Sequence, residues 1–170
     1  FEGLNKGIFL KDDKKAIVAK LETFGLSNKI VLRGDGTSVY ITQDLYLAQE
    51  RYEDFKFDEM IYVVASEQQL HFKQLFKMLE LLERPFAKNL YHLSYGLVNL
   101  PSGRMKSREG TVVDADDLMD EVSALALSEV DKRYTTLSMI EKKRRAEFIG
   151  LSAIKFFLLR TDDTRDIVFN

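Results

Sequence analysis

Apolar positions along the chain change period several times, and each change marks an element. Residues 60–65, Met-Ile-Tyr-Val-Val-Ala, are apolar almost without interruption and rich in β-branched side chains. That is the pattern of a strand covered on both faces in a parallel sheet. Directly afterwards Phe72, Leu75, Phe76, Leu79 and Leu82 recur every three or four residues, so the period becomes helical, and Arg84-Pro85 ends the helix. A second β-rich run occupies 90–98. Strand, helix and strand a short turn apart predict a β–α–β unit in a mostly parallel sheet. In open sheets of this kind, ligands sit at the carboxyl ends of strands and the amino ends of helices.

Upstream the pattern is weaker. Residues 1–9 carry two glycines and no clear period, which leaves them irregular or an edge strand. Residues 11–15 read as a charged turn. Ile17, Val18, Leu21 and Phe24 have helical spacing and favour a short amphipathic helix over 14–24, although Ile17-Val18 suits a strand equally well. Residues 29–32 and 38–41 are β-rich runs flanking Arg33-Gly34-Asp35-Gly36-Thr37, a hairpin or tight-loop signal. Thr42 is then the expected N-cap of a helix through Leu45, Leu47, Ala48 and Tyr52. Downstream, Val112-Val113 suggests a short strand and Asp114 the N-cap of a helix to about Lys132. Ser138 and Glu141 form a capping box that opens a longer helix to near Arg160.

Composition narrows the function classes. With 170 residues, 45% hydrophobic and 31% charged, the chain is long enough for one globular, soluble domain or slightly more. A formal charge of −2 argues against a broad nucleic-acid-binding surface, so any RNA contact must be focal. The absence of cysteine excludes disulfides and thiolate zinc sites and fits a reducing cytoplasm. No apolar run approaches a membrane span of roughly 20 residues. The first residue is Phe1 rather than methionine, which suggests an excised piece of something longer.

Candidate chemistry gathers at a few junctions. Residues 100–110 hold Arg104, Lys106 and Arg108 between glycines, a cationic loop suited to closing over a polyphosphate and stabilising charge on departing phosphate oxygens. The competing reading is a solvated surface loop. Gln68 and His71 lie three apart at the start of the helix after the buried strand, where an imidazole can donate to phosphate or ribose oxygens and an amide can read a polar group. A structural histidine is the alternative, and no neighbouring histidine suggests a metal. Tyr40 and Asp44 straddle another strand-to-helix junction. The ring is a stacking surface, while the carboxylate partners a guanidinium or ammonium, or else complements the helix dipole. In Tyr95-Gly96-Leu97-Val98 the glycine lets backbone groups approach a flat ring, or makes a bulge. Lys142-Lys143-Arg144-Arg145 reads as a solvated face, with contact to a tRNA backbone as the alternative.

Four stretches in order, residues 36–44 (Gly-Thr-Ser-Val-Tyr-Ile-Thr-Gln-Asp), 61–72 (Ile-Tyr-Val-Val-Ala-Ser-Glu-Gln-Gln-Leu-His-Phe), 92–98 (His-Leu-Ser-Tyr-Gly-Leu-Val) and 103–113 (Gly-Arg-Met-Lys-Ser-Arg-Glu-Gly-Thr-Val-Val), together resemble the arginyl-tRNA synthetases. The resemblance runs from about Gly7 to the end. It implies an α/β fold: the second half of a class I synthetase Rossmann-type parallel-sheet domain over 1–113, followed over 114–170 by helices leading toward an anticodon-binding domain. It implies an enzyme that joins arginine to ATP as arginyl-adenylate, with magnesium accompanying ATP, and passes the arginyl group to the terminal ribose of tRNA-Arg. The expected full-length protein is a cytoplasmic monomer without zinc, tightly bound cofactor or membrane contact.

By the same resemblance Tyr40, Asp44 and Gln68 line the arginine pocket. His71 falls close to the nucleotide, Tyr95, Gly96, Leu97 and Val98 hold adenine with Met105 nearby, and Arg104, Lys106 and Arg108 belong to the catalytic KMSKS loop. Two positions depart from the family pattern. Ser107 stands where the signature's second lysine would fall, and the His-x-Gly-His signature of class I enzymes is absent, since His71 and His92 are the only histidines. The expectation is therefore that the chain alone is inactive. Two rival readings are a nucleotidyl transferase of the same fold with another substrate, and a non-catalytic tRNA-binding scaffold piece.

Overall fold

The computed structural model describes residues 2–105 and 112–169. The chain divides into two compact units, residues 1–94 and 95–170.

The first unit opens with a single helical turn, α1 (Glu2–Asn5), and an antiparallel sheet of β1 (Phe9–Lys11), β2 (Ile17–Ala19) and β3 (Lys29–Leu32). The charged turn falls between β1 and β2, where Asp12 Oδ1 accepts the amides of Lys14 and Ala16. The helix expected over 14–24 is instead β2 and a 3-10 turn, Glu22–Phe24. Both of its sides explain this: β2 pairs with β1 and β3, and the cross-strand bonds outweigh a helical apolar stripe of only four residues. Residues 38–41 likewise do not form a strand. Ser38 makes one bridge to Leu32, after which α2 (Tyr40–Phe55) begins. In the stretch 1–9, which has no period in the sequence, Glu2–Asn5 form α1 and Phe9 begins β1. Lys6 donates to Glu83 and Arg84 pairs with Glu2, so α1 is fastened to the segment just after α3.

Next come β4 (Met60–Ala65), a 3-10 turn Ser66–Gln68, α3 (Gln69–Leu81) and β5 (Leu90–Tyr95), with β4 and β5 side by side as the predicted β–α–β unit. Leu75, Met78 and Leu79 of α3 are buried with Leu21, Val31, Ile41, Ala48 and Phe86 in one core, and Met60, Tyr62, Val64 and Leu90 pack on it from the strands. The alternate residues face away. Ile61, Val63, Tyr91 and Leu93 are exposed, so the expectation of a strand covered on both faces is corrected: among the described residues only one face of β4 and β5 is covered.

The second unit contains β6 (Val98–Leu100), β7 (Gly103–Arg104), α4 (Ala115–Arg133), α5 (Met139–Leu159) and β8 (Ile167–Val168). β6 pairs with β7 antiparallel and with β8 parallel. Asp114 caps α4 by accepting from the Asp116 amide, and Ser138 caps α5 by accepting from the Glu141 amide, as their positions predict. Val112 and Val113 are irregular rather than a strand. The two helices pack closely, because Gly150 presents no Cβ where one would lie 3.0 Å from the Ser123 backbone nitrogen. No helix among the described residues is long and apolar enough to cross a membrane.

Candidate functional site

Two local devices fix the amino end of α2. In the turn before it, Asp35 Oδ1 accepts both the Thr37 amide at 2.9 Å and the Thr37 hydroxyl, while Gly36 takes φ +86°. The Thr37 amide and hydroxyl hold the Asp35 carboxyl below its ordinary value. The helix itself starts earlier than expected: Val39 is the N-cap, and Thr42, predicted there, sits three residues on. The Thr42 hydroxyl accepts the Val39 amide at 3.0 Å and donates to the Val31 carbonyl, tying the helix start to β3. Tyr40 is consequently the first helical residue, and it is 83% exposed, which leaves its ring open to stacking.

A cavity of about 670 Å³ opens beside this helix start, and its wall includes Tyr40, Gln43, Arg33, Lys29, Gln68 and His71. Gln68 ends the 3-10 turn after β4 and His71 lies in the first turn of α3, so two strand-to-helix junctions meet here. Asp44, one helical turn beyond Tyr40, touches this wall through His71, whose Nε2 lies 2.6 Å from Asp44 Oδ2. The structure thus brings Tyr40, Asp44, Gln68 and His71 together within the first unit. Arg33, Lys29 and Gln43 were not singled out from the sequence. The turn Arg33-Gly34-Asp35-Gly36-Thr37 was the available signal, because a tight loop ahead of a helix start projects its flanking residues toward the same opening.

Other polar side chains nearby serve the scaffold. His92 Nε2 lies 2.8 Å from the Val64 carbonyl, and its ring rests against Phe72 with centroids 4.4 Å apart. Gln74, buried in α3, donates to the Ser27 carbonyl at 2.8 Å and so anchors the segment leading into β3. Among the described residues, no group of three or more histidine, aspartate or glutamate side chains is placed to hold a metal ion.

In the second unit, Tyr95, Gly96, Leu97 and Val98 span the break between β5 and β6, and the chain's own C-terminal strap lies against them. The Gly96 amide donates to the Asp163 carbonyl at 2.7 Å, the Leu97 amide to Asp166 Oδ1 at 2.8 Å, and the Leu97 carbonyl accepts the Ile167 amide at 2.8 Å. A Cβ on Gly96 would lie 2.0 Å from the Arg165 carbonyl oxygen, so the close backbone approach that glycine permits is used here by residues 163–166. Arg104 is exposed in β7 and Met105 follows it half-buried, while Lys106 and Arg108 lie outside the described residues. The run 142–145 is not a uniform solvated face: Lys142 is buried and paired with Asp131 at 2.6 Å, and Arg145 pairs with Glu141 at 3.0 Å.

Three comparisons bear on this arrangement. The chain is 45% identical over 168 residues to the arginine–tRNA ligase of Treponema pallidum, and 48% identical over 171 aligned positions to that of Flavobacterium psychrophilum. Each alignment takes in 99% of this chain and 28% of the relative, so the chain spans less than a third of the curated relatives it matches. Among solved structures it resembles the arginyl-tRNA synthetases of Thermus thermophilus and Plasmodium falciparum, each with a TM-score of 0.78 at 20% identity. These cover 99% and 98% of this chain and 34% and 28% of those chains, a likeness of fold. Residues 2–170 also match the family described as tRNA synthetases class I (R), catalytic domain, and the chain belongs to that family.

Proposed function

We propose that this chain is part of an arginine–tRNA ligase, which activates arginine with ATP as arginyl-adenylate and transfers it to the 3′-terminal ribose of tRNA-Arg. The observation that carries the reading is the cavity wall at the amino ends of α2 and α3, where a tyrosine ring and a glutamine amide lie with an imidazole that is paired to the Asp44 carboxylate. In this reading Asp44 pairs with the substrate guanidinium, Gln68 hydrogen-bonds its polar end and Tyr40 covers it. Lys29 and Arg33 on the same wall suit the opposite end of a zwitterion or a phosphate.

Tyr95, Gly96, Leu97 and Val98, with Met105, make the adenine segment. Arg104, Lys106 and Arg108 stabilise charge on the departing pyrophosphate of ATP, which arrives with magnesium as co-substrate. The unit organisation proposed is a half catalytic domain over 1–113 and a helical connecting segment over 114–170. The scaffold alternative loses support from residues 142–145, two of whose four cations are spent on internal ion pairs.

The test is arginine-dependent pyrophosphate exchange and arginylation by the full-length protein with tRNA present. Asp44→Asn is expected to weaken arginine binding by on the order of 2–4 kcal/mol if its charge is desolvated against the guanidinium. The 170-residue chain alone is expected to show no turnover. Charging of a competing amino acid in place of arginine would favour a different transferase.

A further inference from the structure

His71 makes a contact that its position in the chain does not foretell. Its Nε2 lies 2.6 Å from Asp44 Oδ2, across 27 residues of sequence, and links two helices that pack together. The imidazole is well packed, 15% exposed, with its ring edge-on to Phe72 at 5.5 Å between centroids. Asp44 keeps 35% of its side chain exposed, and its contact with His71 runs through Oδ2, which leaves Oδ1 outside that bond. The histidine is therefore the held member of the pair and the aspartate the presented one.

An aspartate carboxylate left to itself rotates broadly about χ2. Pinning Oδ2 to a packed ring fixes where Oδ1 points, and a group oriented before its ligand arrives loses less freedom on binding. Charge explains why the donor is histidine. A lysine or arginine in that place would cancel the carboxylate's charge permanently, whereas an imidazole can donate an N–H without bringing a fixed positive charge. The acid keeps its charge for a cation that reaches its exposed side.

We infer that His71 is a positioning residue that orients Asp44 for recognition of a guanidinium, and not a ligand of the nucleotide. The inference rests on the arginine reading of Asp44 given above. The experiment compares KM for arginine and for ATP in arginylation by the full-length protein, using wild type, His71→Ala, His71→Gln, His71→Lys, Asp44→Asn and the His71→Ala/Asp44→Asn double variant. His71→Ala is expected to raise KM for arginine about tenfold, equivalent to about 1.4 kcal/mol, and to leave KM for ATP within about twofold. Glutamine keeps an N–H donor of similar reach and is expected to bring KM for arginine back to within about threefold of wild type. Lysine is expected to cost more than alanine, because its fixed charge faces the substrate's.

On the Asp44→Asn background, His71→Ala is expected to add little, since the two residues act as one unit. A rise in KM for ATP with arginine unaffected, or a His71→Ala effect that multiplies in full on Asp44→Asn, overturns the positioning role and leaves the arginine reading standing. A KM for arginine indifferent to Asp44→Asn overturns that reading, and this inference with it. Glutamine and lysine variants behaving alike would also overturn it.

Discussion

Tyr62 carries a hydroxyl buried without a hydrogen-bond partner among the described residues, although its ring is well placed between Phe72 and Phe76. Burial pushes the phenol above its ordinary value of 10.0, the nearby Arg51 opposing. A raised folded value means that this group's contribution to stability is complete below pH 10.0 and is lost as pH climbs through the folded value. Tyr62→Phe removes an unsatisfied polar atom while keeping the ring. The variant is expected to be about 1 kcal/mol more stable at neutral pH and to lose less stability in alkali, both read from urea unfolding midpoints. Residue types were legible from local spacing in a way that their partners were not. Tyr40, Asp44, Gln68 and His71 stood out because each lies near the start of a helix after a strand. The Asp44–His71 bond depends on how α2 packs on α3, and nothing within either helix encodes it. Gly96 shows the same limit: its need for space was readable, but the occupant of that space, residues 163–166, comes from the far end of the chain.

At the scale of elements, periods longer than about three turns held and shorter ones yielded to their neighbours. α3, α4 and α5 each repeat an apolar stripe often enough that no strand pairing competes with it. β2 has three residues, and only β1 and β3 on either side decide that it is a strand. The pairing of α4 with α5 adds a feature that charge runs conceal. Lys142, in a run of four cations, is the one whose side chain is 9% exposed, and Asp131 of α4 holds it. An ammonium kept from water depends on that carboxylate, although Asp131 itself is 57% exposed and partly screened. Asp131→Asn is therefore expected to cost about 1–3 kcal/mol, while Lys142→Met, which removes the need for a partner, is expected to stay within about 1 kcal/mol of wild type. Unfolding midpoints of the two variants check the order. A methionine variant less stable than the asparagine one would show that the pair itself holds the helices.

For the whole molecule, the bare side of β4 and β5 has a physical consequence. Ile61, Val63, Tyr91 and Leu93 are 53%, 62%, 53% and 39% exposed, and they share the face opposite the core because Met60, Tyr62, Val64 and Leu90 occupy the other. The sequence signalled this indirectly, since residues 60–65 carry the continuous apolar run of a strand that expects cover on both sides. A contiguous apolar sheet face in water is an association site, and the gain on covering it scales at about 25 cal/mol per Å² removed from solvent. The 170-residue chain on its own is therefore expected to self-associate with rising concentration. Ile61→Thr with Val63→Thr keeps β-branched residues in the strand, leaves the core side untouched and lowers the apolar area that a second copy would cover. Sedimentation equilibrium of the chain and of this double variant tests the idea. The variant is expected to remain monomeric at concentrations where the parent does not. Equal association constants would move the cause of any self-association to another surface, such as the exposed Phe148, Phe156 and Leu159 of α5.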